Sequence, residues 1–202
     1  MEYAFHVHNQ FASDGITMAL SKLLLADFQR KYTLKRGAVK KSAPPVVVCV
    51  GSDLTIGDCL GPISGSMLKY KTQGTNAFLY GTLAAPVTAK EIAYMRTFLK
   101  ETNPTSPVIA VDAAVGEAGD VGLIKVHDTP LMPGAGANKK LGALGDMSIL
   151  GIVAEKSVAN YALLNTTRLN LVYTMSEIIS SALAALLWEQ NRAGEKSNEN
   201  IV

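Results

Sequence analysis

A chain of 202 residues, 48% of them hydrophobic and 18% charged, is long enough for one substantial core and too apolar to be disordered. A net charge of +2 gives no footprint of a nucleic-acid partner, and two cysteines, Cys49 and Cys59, are too few for a disulfide framework. With no stretch of about 18 continuous apolar residues and no signal-type leader, the expectation is a cytoplasmic protein without a membrane association.

In chain order, residues 13–30 read as an amphipathic helix that either docks on the domain or covers a cleft. The basic stretch with Lys31, Lys35, Arg36, Lys40 and Lys41 reads as a solvated linker. From residue 46 onward, strand-like and helix-like segments alternate, which is the pattern of a mostly parallel sheet with helices on its faces. Residues 46–51 read as the first strand, 60–71 as a helix with Pro62 in its opening turn, and 77–80 as a short strand. Thr88-Ala89-Lys90-Glu91 is a capping box ahead of a helix to about Lys100. Strands are expected over 108–112, 123–126 and 148–153. A second capping box, Thr174-Met175-Ser176-Glu177, precedes an Ala- and Leu-rich helix over 178–192. The organisation expected is a helical extension and linker over 1–43, an α/β domain over 44–192 and a frayed tail over 193–202.

Three segments can do chemistry. In the first, Gly51 and Gly57 allow a tight loop after the first strand, and Asp58 lies just before a helix, where it is either a cap or a site carboxylate. Asp53, in the same loop, is expected to bond its own turn and stands in reserve for substrate contact. In the second, Asp112 closes the apolar run Val108-Ile109-Ala110-Val111 at the strand end, where ligands bind in open α/β sheets. The third, residues 128–140, is a loop of small residues that is either a surface turn or a cradle for a peptide, with Gly134, Gly136, Asn138 and Lys139 as its contacts. The glycine spacing is neither a dinucleotide fingerprint nor a phosphate loop, so no nucleotide cofactor is expected. Cys59, with no histidine nearby in sequence, reads as a small buried thiol rather than a nucleophile.

These three motifs, in this order, resemble the germination protease of spore-forming bacteria and, more closely, its shorter relatives, the YyaC-type sporulation family (DUF1256). The resemblance covers residues 44–190. It implies a three-layer α/β/α sandwich with a mostly parallel central sheet, hydrolase-like and shared with hydrogenase maturation proteases. It also implies peptide-bond hydrolysis in the developing spore or mother cell, with Asp58 and Asp112 as the catalytic pair, residues 133–139 as a substrate-side loop, and a protein or peptide as substrate. In hydrogenase maturation enzymes the equivalent carboxylates join a histidine around nickel. Here Met132 stands where the germination protease often has histidine, and His6, His8 and His127 are not placed by sequence to complete a metal site, so no metal is expected.

Three readings stay open: an aspartate-dyad peptidase, a maturation-type endopeptidase using Asp58, Asp112 and His127 around a client's metal, and a non-catalytic protein-binding factor. Self-association into a homo-oligomer is equally open.

Overall fold

The computed structural model describes residues 1–32, 43–133, 141–156, 164 and 167–199. Six strands form one mixed, mostly parallel sheet: β1 (Glu2–His6), β2 (Val46–Cys49), β3 (Phe78–Tyr80), β4 (Val108–Gly116), β5 (Leu123–His127) and β6 (Met147–Glu155). Their order across the sheet is β1-β5-β6-β4-β2-β3. Neighbours among β3, β2, β4 and β6 run parallel, whereas β5 is antiparallel to both β6 and β1. The helices are α1 (Ala12–Tyr32), α2 (Leu60–Lys71), α3 (Ile92–Thr102) and α4 (Leu169–Glu199).

The uniformly apolar run Val46-Val47-Val48-Cys49 is fully buried, as expected of a central parallel strand covered on both faces. Side chains alternate across it. Val47, Cys49, Ile109 and Val111 pack in a core with α1, α2 and α4, while Val46, Val48, Val108 and Ala110 pack with Ile92, Met95 and Leu99 of α3. Helices therefore lie on both faces of the sheet.

The amino-terminal segment belongs to this sheet and core. β1 pairs with β5 along its whole length, and Ile16 and Leu20 of α1 are fully buried in the same cluster as α4. Docking, not covering a cleft, is thus what α1 does. Its last turn is tied down by charge: Lys31 donates to Asp27 and to Asp146, and Asp146 also accepts the Val108 amide at 2.8 Å. We expect Asp146→Ala to cost about 1–3 kcal/mol in urea unfolding, because the Val108 N–H loses a charged acceptor at the entry to β4. A loss below about 0.3 kcal/mol would mean water replaces that bond.

Several boundaries differ from expectation: β2 stops at Cys49, β6 runs on to Glu155, and α4 continues to Glu199 through residues read as a frayed tail. β4 runs on past Asp112 to Gly116, because β6 continues to pair with it. α4 begins at Leu169, not after the expected capping box. The Thr174 hydroxyl bonds back to the Asn170 carbonyl four residues earlier, and Ser176 reaches the Leu60 carbonyl, so these polar residues are satisfied inside the helix. At the first box, the Glu91 carboxylate accepts the Thr88 amide at 2.9 Å as expected, with regular helix starting at Ile92. The segment Leu169–Gly194 is long and apolar enough to cross a membrane by length and composition. Val172, Met175, Ile179, Ala182, Leu183 and Leu186 on that helix are buried in the core, which accounts for its apolarity.

Candidate functional site

Where β2 stops, β4 does not. The last ladder partner of β4 on that side is Cys49, with the Val50 amide donating to the Val111 carbonyl at 2.7 Å. The chain then turns away at Gly51, whose φ of +142° and overlap of any Cβ with the Asp58 carbonyl both demand glycine. The loop closes on itself through the Ser52 amide and the Asp58 carbonyl, at 3.2 Å. A 3-10 turn, Gly57–Cys59, follows and packs beside the edge of β4 that β2 has left open. Asp112 is the first residue of β4 past the end of that pairing, so both aspartates lie at the carboxyl end of β2, where open α/β sheets bind their ligands.

Asp112 is 9% exposed, and its Oδ1 accepts the Ala113 amide at 2.8 Å. Burial, and after it the nearby charge of Asp58, push its carboxyl well above the usual range, against the opposing Ala113 bond. Asp58, less buried, is also raised by desolvation, against a hydrogen bond from the Ser52 amide. Both carboxyls are thus raised, Asp112 being the deeper of the two, and such a pair gives up its protons as a unit. Ser52, whose amide bonds at Asp58, lies beside the pair and went unread; its signal is the Gly-Ser step directly after a buried strand, where free amides gather.

The other expected residues fall as follows. Asp53 is exposed, and the turn it was expected to bond is instead closed by the Ser52 hydroxyl, which accepts the Leu54 amide at 3.2 Å. Gly134, Gly136, Asn138 and Lys139 lie outside the described residues. The flanks of that loop are placed: Leu131 and Leu144 exchange two backbone bonds of 2.9 Å and pack with Val108 and Ala110, the face of β4 that Asp112 shares by alternation.

Neither thiol is poised for nucleophilic work. Burial pushes Cys49 up to about 12, and Cys59 is raised by burial and by the charges of Asp53 and Asp58. His127 is not brought to the pair. It sits opposite Ser148 on β6, with Nδ1 3.7 Å from the Glu2 carboxylate, whereas Asp112 sits opposite Leu150. Two strands across and two residues along put it roughly 11 Å from Asp112. Among the described residues no cluster of three or more His, Cys, Asp or Glu side chains could hold a metal ion.

A family model described as a protein of unknown function, DUF1256, matches residues 20–182, a stretch containing β2 through β6 and both aspartates. The chain belongs to the DUF1256 family. An uncharacterized protein, YyaC, of Bacillus subtilis (strain 168) is 39% identical to it over 165 residues, spanning 79% of this chain and 80% of that relative. The match thus takes in the loop after β2, all of β4 and the bridge between Leu131 and Leu144, and with them both aspartates of this DUF1256 chain.

Proposed function

We propose that the chain is a sporulation-associated peptidase in which Asp58 and Asp112 activate one water against a peptide bond, on a three-layer α/β/α sandwich like that of the germination and hydrogenase maturation proteases. The observation that carries this reading is the effect of the Asp58 charge on Asp112, two acids from separate segments brought close at the end of β2. Asp58, ionised, takes a proton from water as the oxygen attacks the carbonyl carbon. Asp112, protonated, donates to the carbonyl oxygen and steadies the oxyanion. On collapse the carbon–nitrogen bond breaks, the leaving amine takes the proton held by Asp58, and Asp112 recovers its own. The loop anchored by Leu131 and Leu144 would hold the peptide on the Asp112 face. The enzyme would act in the cytoplasm of the developing spore or mother cell.

The test is the pH dependence of cleavage of small spore proteins or a peptide library. The active form needs Asp58 ionised and Asp112 protonated. Both carboxyls are raised, so both limbs of the bell lie above the ordinary value of 3.8, with the acid limb set by Asp58 and the alkaline limb by Asp112. An optimum below pH 4 contradicts this assignment.

A second reading, a protein-binding factor on the same fold, is favoured by one observation: Leu54 in the site loop is 88% exposed and Met132 on the facing flank is 60% exposed. Stable capture of an uncut partner with no turnover on any peptide selects it.

A further inference from the structure

We propose that a second cleft, at the opposite end of the sheet from the aspartates, binds a compact phosphate-bearing small molecule. The cleft measures about 320 Å³ and lies between the last turns of α3, the turn into β4 and residues 143–146 ahead of β6. Its cations are Arg96, Lys100 and Lys31, and its one carboxylate is Asp146.

That carboxylate is already committed. One oxygen accepts the Val108 amide at 2.8 Å and the other accepts Lys31 at 2.9 Å. Arg96 and Lys100 form no ion pair among the described residues. They stand four residues apart on α3, whose orientation is fixed by the buried Ile92, Met95 and Leu99, so two like charges share one helix face with no ion-pair partner among the described residues. The fold nonetheless makes room for the guanidinium. Gly142, at φ +81°, lies against it, and any Cβ there would meet Arg96 Nη1.

Leu99, Val108 and Leu144 give the cleft an apolar floor, and Ser106 adds a hydroxyl. A guanidinium with a lysine one helical turn away is a donor set that takes a phosphate dianion, and the volume suits a small ester rather than a polymer. This site stands apart from the aspartate pair and does not depend on its chemistry.

Calorimetric titration of the intact chain with inorganic phosphate and with ribose 5-phosphate, at constant ionic strength, tests the proposal. Saturable one-site binding is expected, weakened about tenfold or more by Arg96→Gln and by Lys100→Gln. Tighter binding of the ester identifies an ester as the natural class, and equal binding identifies phosphate alone. Lys100 is exposed, so Lys100→Gln remains informative if Arg96→Gln fails to fold. No saturable heat with either probe, or wild-type affinity in the folded variants, overturns the site.

Discussion

Asp112→Asn is expected to abolish peptide hydrolysis while making the fold more stable at neutral pH. The loss follows from chemistry: general acid catalysis contributes on the order of 100- to 10,000-fold, and an amide can neither give a proton to the carbonyl oxygen nor take it back on collapse. Asp58→Asn, which removes the base, should cost a similar factor. The gain in stability follows from linkage. Because the folded state raises the Asp112 carboxyl, it binds more protons than the unfolded chain once pH exceeds the unfolded value near ~3.9. Stability contributed by this group is therefore full below that pH and declines as pH rises toward the folded value. Asparagine removes the decline and can still accept the Ala113 amide, so urea unfolding at pH 7 should show a gain of about 1–2 kcal/mol that vanishes below pH 4. A variant less stable than wild type at pH 7 would show that the ionised carboxylate is satisfied where it lies.

The second large effect is expected at Gly61. With Gly65 one turn later, it forms the face of α2 that lies against the end of β2 and the turn after β3. A Cβ on Gly61 would overlap the Val50 carbonyl oxygen, and one on Gly65 the carbonyl oxygen of Gly81. Both obstacles are backbone, so relief requires α2 to move. Gly61→Ala should cost about 3 kcal/mol or more in chemical unfolding, above the usual range for overpacking. It should also depress hydrolysis in the fraction that folds, since the 3-10 turn carrying Asp58 leads straight into α2. Gly194→Ala is the control: nothing lies within 4 Å of its Cβ position on α4, and it should be neutral or stabilising by up to about 1 kcal/mol. Equal effects at the two positions would remove the close-approach argument.

How much of this was legible in the sequence follows the range of the interactions. β2 and α2 are specified locally, by a run of β-branched residues and by an apolar stripe with proline in the first turn; α2 lies where it was read, and β2 starts there but stops two residues sooner. β1 went unread because Tyr3 and Phe5 alternate with Glu2, Ala4 and His6 over only five residues; the strand exists by pairing with β5, more than a hundred residues away. Asp112 was taken to end its strand because an acid after four apolar residues suggests an exit. Pairing with β6 carries the strand onward past the end of β2, which leaves Asp112 beside the turn that carries Asp58. The false start of α4 has the same root, since a Thr-x-x-Glu spacing is a cap only where the amides above it are free. The positions of Asp58 and Asp112 could be anticipated from glycines and strand ends. Which acid keeps the proton could not, because burial is set by the whole fold.

The central claim is that the two carboxyls are electrostatically one unit, and carbon-13 NMR titration of the aspartate side chains measures this directly. In the wild type, Asp112 should titrate well above the ordinary range, in a curve coupled to that of Asp58; in Asp58→Asn it should fall, while staying above 3.8 because burial remains. An Asp112 curve that is the same in both proteins would contradict the account.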